Sequence, residues 1–184
     1  MKSRRSLLIL TVVLLVCVAV GFYLSTASQE PDSDSEFRDA LDTSQLALLE
    51  AADKVEVFRL EVRITPSWKP ATTHQIDGFP IVAGPAPVKL EDVRRLRWLV
   101  GEQWHRAPQP SYKPCLFEPG VAFRFTRQNQ QMVLLICLHC NDWKFLGPSG
   151  EVFRDCDAVR PELVELVKHL YPDDTEIQSL EPEL

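Results

Sequence analysis

Alternation of apolar and charged residues predicts two strands in the first half of the chain. Residues 54–64 alternate, with a break at Phe58-Arg59 that indicates a β-bulge. A shorter apolar run over residues 79–83 predicts a second strand. The prolines and glycine in residues 84–87 then predict a turn that ends it.

Two hairpins are predicted in the second half of the chain. The first joins strands over residues 121–127 and 131–139, and the second joins strands over residues 142–146 and 151–154. Residues 132–138 are apolar at every position. We therefore expect this strand to be covered on both faces of the sheet.

Helical periodicity predicts helices over residues 44–53, 90–103 and 158–170. Thr43 or Ser44 is the expected cap of the first helix, and Pro161 fits only in the first turn of the third. Because the hairpins and the helices occupy separate stretches, the sequence predicts an α+β fold. Its antiparallel sheet would have about five strands, with two main helices packed on it.

The chain begins with a basic stretch and an uncharged apolar run over residues 7–24. A transmembrane helix needs ~20 apolar residues, whereas the apolar core of a cleavable signal peptide has ~7–15. The run lies between these lengths, and the small residues Ser25 and Ala27 permit cleavage after Ala27. We therefore expect residues 1–27 to be a signal peptide or a signal-anchor, a single N-terminal hydrophobic helix that precedes the domain.

The basic stretch also predicts where the domain is located. Lys2, Arg4 and Arg5 favour an N-terminus that stays in the cytoplasm. The domain is then anchored to the membrane through residues 7–24 and lies on the extracytoplasmic side. The alternative is a secreted or periplasmic domain, released by cleavage near Ala27.

Composition divides the rest of the chain into three parts. Residues 28–43 predict an acidic flexible linker, residues 44–172 a globular α+β domain, and residues 173–184 a loose acidic tail. The whole chain carries −6, and its first 24 residues contribute +3 with no acid, which leaves −9. Nucleic acid is therefore not an expected partner, because neutralising phosphates needs clustered Lys and Arg. The expected partner is an unidentified protein.

Four cysteines follow the apolar run: Cys115, Cys137, Cys140 and Cys156. The exported location and the even number favour structural disulfides, with Cys115 paired to Cys137 or Cys140 and no cofactor. All four thiolates could instead bind zinc, although the chain has one Cys-x2-Cys and not two. A third interpretation is inert buried thiols, because free cysteine behaves as a small apolar residue.

The Cys-x2-Cys lies at the end of a predicted strand. Side chains alternate along a strand, so Cys137 and Cys140 converge only if the chain turns at His139 or Cys140. Asn141 tolerates the left-handed conformation that such a turn requires. A thiol-redox or catalytic site on this pair is an alternative, although redox dithiols usually lie at a helix N-terminus. The histidines that could serve as its base are His105, His139 and His169.

Three stretches form a recognisable pattern: residues 115–119 (CLFEP), 122–125 (AFRF) and 134–140 (LLICLHC). They resemble a family of uncharacterised bacterial exported or lipoprotein-like proteins. That family has a Cys-Phe-x-Pro stretch, followed by an apolar strand that ends in Cys-x-x-Cys. This chain departs from the pattern by inserting Leu116 and by having Leu138 where phenylalanine is usual. The resemblance implies the fold and the cysteine cluster but no activity.

The sequence lacks the motifs of common enzymes. It has no Gly-rich phosphate loop, no serine nucleophile elbow and no His-Glu-x-x-His. We therefore expect a non-enzymatic binding or interaction module, exported or anchored to the membrane. The alternative is a zinc-binding or thiol-redox site built on Cys137 and Cys140.

Overall fold

The computed structural model describes residues 41–62, 74–106 and 113–182. The predicted N-terminal hydrophobic helix and most of the predicted linker lie outside these residues. Within the described ranges, no helix is both long enough and apolar enough to cross a membrane.

An antiparallel sheet of seven strands forms the centre of the described domain. The strands are β1 (Lys54–Leu60), β2 (Gln75–Ile76), β3 (Phe79–Pro87), β4 (Val121–Arg127), β5 (Gln130–Cys137), β6 (Asp142–Gly147) and β7 (Gly150–Asp155). They lie in the order β2-β3-β1-β4-β5-β6-β7. The two predicted hairpins are present as β4–β5 and β6–β7, which also pair with each other through β5 and β6.

The sheet is larger than the predicted one of about five strands. The short β2 was not predicted, and β3 continues through residues 84–87, where the sequence predicted a turn. Gly84 makes this continuation possible, because it has φ +103° and a Cβ there would lie 2.7 Å from the Val57 carbonyl oxygen. The prolines of this part of β3 are tolerated because, among the described residues, β2 pairs with Phe79 and Pro80 alone and no strand pairs with the outer edge of residues 84–87.

The bulge that was predicted at Phe58-Arg59 of β1 lies instead in the neighbouring strand β3. The register of β1 against β3 shifts between Val57 and Leu60. Its register against β4 is regular from Lys54 to Arg59. Each shift therefore places an extra residue in β3, because Val57 to Arg59 oppose Ala86 to Ala83 and Arg59 to Leu60 oppose Ala83 to Ile81.

The described residues contain four α-helices: α1 (Thr43–Ala51), α2 (Leu90–Arg106), α3 (Arg160–Leu170) and α4 (Thr175–Gln178). Their apolar residues form one cluster with the residues on one face of the sheet, so the fold is α+β. The two long helices α2 and α3 are the predicted main helices. The cap of α1 is Asp42, and not Thr43 or Ser44, because its carboxylate accepts hydrogen bonds from two backbone N–H groups of the first turn.

Strand β5 is covered on both faces, as its uninterrupted apolar run predicted. Leu134 and Ile136 belong to the cluster under the helices. Leu135 belongs to a second cluster on the opposite face, together with Phe58 and Ala122. Phe117 packs against this second cluster, so the loop before β4 covers part of the outer face.

The end of the chain differs from the predicted loose tail. Asp174 caps the one-turn helix α4, and Ile177 is buried in the main cluster. The acidic residues of this segment do not prevent packing because two of them bind a buried arginine described below. We call residues 171–182 the C-terminal segment.

Candidate functional site

The Cys-x2-Cys forms part of a tight turn between β5 and β6. Residues 138–141 form the turn, and Asn141 adopts the expected left-handed conformation with φ 56°. The backbone N–H of Cys140 donates to the sulfur of Cys137, at 3.4 Å. The turn thus brings the two residues together, as their spacing predicted.

The structure places two of the four cysteine sulfurs at disulfide distance. The Sγ atoms of Cys115 and Cys140 are 2.00 Å apart, and the loop before β4 is thereby joined to the β5–β6 turn. Cys137 and Cys156 are free and buried. Burial raises the pKa of the Cys156 thiol well above its ordinary value, although the charge of Lys113 acts in the opposite direction.

In the described residues the four sulfurs are not arranged as the tetrahedral zinc site of the alternative interpretation. Within the described residues, no group of three or more His, Cys, Asp and Glu side chains is placed to hold a metal ion. Cys115 and Cys140 bond to each other, and a thiol buried like that of Cys156 is a poor thiolate.

Lys113 holds the turn from the side of the loop. Its Nζ donates to the carbonyl oxygens of Cys140 (2.8 Å) and Asn141 (3.1 Å) and forms an ion pair with Asp157 at 2.7 Å. Asn141 in turn donates to Asp157 at 2.9 Å. Burial raises the pKa of Asp142 in this cluster, although Lys113 lies nearby and lowers it. These hydrogen bonds and this ion pair therefore hold the β5–β6 turn against the loop before β4.

The candidate histidines lie in different surroundings. His139 is exposed on the β5–β6 turn, between Cys137 and Cys140. His169 lies 3.7 Å from the carboxylate of Asp92 in α2, which would form an ion pair if the imidazole were protonated. His105 lies in the last turn of α2. The three histidines thus belong to different elements.

A cleft of about 340 Å³ opens beside the β5–β6 turn, where the sheet meets the C-terminal segment. Its apolar wall consists of Val62, Leu138, Ile177 and Leu180. Ligand pockets in proteins typically enclose ~300–1,000 Å³. The cleft is therefore large enough for a small ligand or the end of a peptide.

The charged residues of the cleft include a buried arginine from β1. Arg59 is 5% exposed, and its Nε and Nη2 donate to Asp174 (2.9 Å) and Glu176 (2.7 Å). Its Nη1 donates to the carbonyl oxygens of Leu60 and Gly120. Arg59 thus joins the sheet to α4 and has its charge neutralised there.

The pKa of Asp174, which forms this ion pair with Arg59, is shifted from its ordinary value. Burial raises the pKa of Asp174, but the Ile177 N–H and Arg59, which hydrogen-bond its carboxylate, together outweigh burial. The pKa of Asp174 therefore lies below its ordinary value, so the charged form is favoured in the folded protein.

A second buried arginine, Arg160, comes from the start of α3 and is also 5% exposed. Its Nη1 makes short hydrogen bonds to the Leu138 carbonyl oxygen and to Oδ1 of Asn141. Its Nη2 donates to the Glu181 carbonyl oxygen at 2.8 Å. Arg160 thus ties together the β5–β6 turn, α3 and the C-terminal segment.

Sequence reasoning missed both arginines, although the patterns contain a signal for each. Side chains alternate along a strand, and Arg59 lies two and four residues after the buried Val57 and Val55. It is therefore on the same, helix-covered face of the sheet. Arg160 lies three and four residues before the buried Leu163 and Val164, on the buried face of α3. A charged residue on a buried face is uncommon and indicates a special partner.

Comparison with known proteins assigns no family to this chain. No protein-family model matches it, and neither does a curated protein or a solved structure. The resemblance to exported bacterial proteins therefore stays a prediction. What the domain binds is inferred from its own side chains.

Proposed function

We propose that this chain is a non-enzymatic binding domain, tethered to a membrane on the extracytoplasmic side, that takes an amphipathic ligand in the cleft between Arg59 and Arg160. The cleft is the observation that carries the proposal. It combines a volume of about 340 Å³ with an apolar wall and buried guanidinium groups. Such a combination is typical of sites that hold an apolar group and orient a polar one.

The location of the domain comes from the sequence. The apolar run over residues 7–24 provides the membrane segment, and residues 28–43 provide an acidic linker. An oxidising compartment agrees with the sulfur pair formed by Cys115 and Cys140. In this proposal the cysteines are structural staples that hold one rim of the cleft.

The alternative function, zinc binding or thiol-redox chemistry on Cys137 and Cys140, has weaker support. Cys137 is fully buried, and Cys140 is already joined to Cys115. Mass spectrometry of the chain, purified without reductant, separates the two functions. One bridge with three free thiols, Cys17 included, and no metal favours the binding domain. One zinc per chain, lost in Cys140→Ser, would favour the alternative.

Methyl NMR of the full chain in lipid nanodiscs tests whether the cleft binds. Titration with hexanamide, a small neutral amphiphile, should give saturable shifts of Ile177 and Leu180 methyl groups, while those of the core residue Leu134 stay constant. A probe of this size should bind with a Kd of about 1–10 mM. The proposal fails if neither hexanamide nor the corresponding acid, hexanoate, gives a saturable shift, or if the shifts spread over methyl groups outside the cleft.

A pair of variants controls for general effects on the surface. Leu180→Gln places a polar group in the apolar wall and should weaken binding several-fold. Leu116→Gln makes the same change at a residue that is 71% exposed and does not line the cleft. It should leave binding unchanged.

A further inference from the structure

The two buried arginines of the cleft differ in how their charge is balanced. Arg59 has two carboxylate partners, Asp174 and Glu176, at 2.9 and 2.7 Å. Arg160 has no carboxylate partner among the described residues, and its hydrogen bonds go to two carbonyl oxygens and one side-chain amide. A guanidinium stays protonated in proteins, so within the described residues Arg160 carries a buried charge that is compensated by dipoles alone.

Arg160 also has donors left over. A guanidinium has five N–H groups, and the bonds of Arg160 use two on Nη1 and one on Nη2. Its Nε is buried and has no hydrogen-bond partner in the described part of the chain. Nε and Nη2 lie on one side of the guanidinium, where they can donate together to the two oxygens of one carboxylate.

We infer that the ligand of the cleft is an apolar group that ends in a single carboxylate, which binds to Nε and Nη2 of Arg160. This inference rests on the proposed binding function. The apolar part lies against Leu138, Ile177 and Leu180. Because Nε is covered in the structure, the carboxylate takes the place of the Glu181 carbonyl on Nη2, and the C-terminal segment moves outward at Leu180.

The other charges of the cleft favour a ligand with one negative charge over a ligand with two. Glu118 and Glu176 also line the cleft, and Glu176 is already paired with Arg59. Glu118 repels a dianion about twice as strongly as a monoanion, so a phosphate is a poorer fit than a carboxylate. His139 is exposed in the same lining and adds a positive charge only when it is protonated.

Two matched pairs of probes test the carboxylate without any mutation. Hexanoate is compared with hexanamide, and acetyl-Gly-Leu with its C-terminal amide, by methyl NMR titration of the full chain in nanodiscs against empty nanodiscs. At least one acid should bind about tenfold or more tightly than its amide, since a charge-assisted hydrogen bond is roughly twice as strong as a neutral one. Tighter binding of hexanoate alone indicates a fatty acid, and of acetyl-Gly-Leu alone a peptide C-terminus.

The outcomes separate this inference from the function on which it rests. Acids and amides that bind in the cleft with equal affinity would overturn the carboxylate and leave the binding function intact. Probes that all fail to bind would overturn both. A Leu180 methyl shift of the same size for acid and amide would contradict the displacement of Glu181.

Variants then assign the selectivity to one side chain. In Arg160→Met, the acid and the amide should bind with about equal affinity. Arg160→Lys should retain part of the preference for the acid, because the charge remains but the planar guanidinium is lost. Arg106→Met removes an exposed arginine outside the cleft and should retain all of it. If Arg160→Met does not fold, as its methyl spectrum will reveal, the comparison between Arg160→Lys and Arg106→Met decides. A preference that Arg160→Lys leaves undiminished would overturn the assignment.

Discussion

Replacing Arg59 by methionine should weaken the whole domain and release the C-terminal segment first. Arg59 is the residue through which β1 binds α4, across sequence separations of 115 and 117 residues. Methionine fills most of the space of the arginine stem but makes none of its hydrogen bonds. The variant therefore removes the polar connection while it creates little cavity.

The expected loss of unfolding free energy is about 3 kcal/mol. The side chains of Asp174 and Glu176 are 25% and 62% exposed, so water replaces most of what they lose, and together they contribute only about 1 kcal/mol. The carbonyl oxygens of Leu60 and Gly120 each lose a hydrogen bond, at about 1 kcal/mol per bond. For a domain of this size, 3 kcal/mol corresponds to a fall in Tm of about 6–12 °C.

Arg106→Met is the matched control for this change. Arg106 also pairs with two carboxylates, those of Glu102 and Glu162, and bonds one carbonyl, but its side chain is 40% exposed. Because exposed ion pairs are worth ~0–1 kcal/mol, this variant should lose less than about 1 kcal/mol.

Thermal unfolding of the full chain in nanodiscs, followed by near-UV circular dichroism, measures the Tm. Hydrogen exchange of residues 171–182 measures the local effect, and it should accelerate in Arg59→Met alone. The reasoning is refuted if both variants lower the Tm equally, or if Arg59→Met leaves the exchange of the C-terminal segment unchanged.

Two further predictions concern the disulfide and acid pH. Cys115→Ser should lower the unfolding free energy by about 3–4 kcal/mol, the loop-closure term for the sequence separation of 25 between Cys115 and Cys140. Reductant should lower the Tm of the unaltered chain to the same value, and an unaffected Tm would contradict a bridge. The pKa of Asp174 is lowered, because hydrogen bonds from Ile177 N–H and Arg59 outweigh the effect of burial. Its contribution to stability is therefore present above the ordinary pKa of about 3.9 and is lost as the pH falls through the lower folded value. Hydrogen exchange of the C-terminal segment should accelerate below about pH 4 in the unaltered chain, and Asp174→Asn should flatten this dependence.

The fold class was predictable because hairpins and amphipathic helices are encoded locally. Turn residues separate the strands of both hairpins, and Asn141 permits the left-handed turn that brings Cys137 and Cys140 together. The extension of β3 through residues 84–87 was not predictable. It depends on a close approach of Gly84 to the backbone of β1, a distant segment, and propensity alone favours a turn there.

Local sequence patterns predict where the two arginines of the candidate site lie, but not which groups bind them. Strand parity and helix periodicity place Arg59 and Arg160 on buried faces, but they do not identify what neutralises each charge. The carboxylates that bind Arg59 come from a segment whose acidic composition predicted disorder. Acidic composition indicates disorder only when the charges have no buried partner.

The C-terminal segment is therefore part of the domain, and it connects the stability of the fold to the chemistry of the cleft. Its two carboxylates neutralise Arg59, whereas it gives Arg160 only the Glu181 carbonyl oxygen. The same segment supplies Ile177 and Leu180 to the apolar wall. A ligand carboxylate that replaces this carbonyl would exchange a dipole for a full charge on Arg160, while Arg59 keeps α4 attached to the sheet. The difference between the two arginines thus explains how the segment could move at one end to admit a ligand and remain docked at the other.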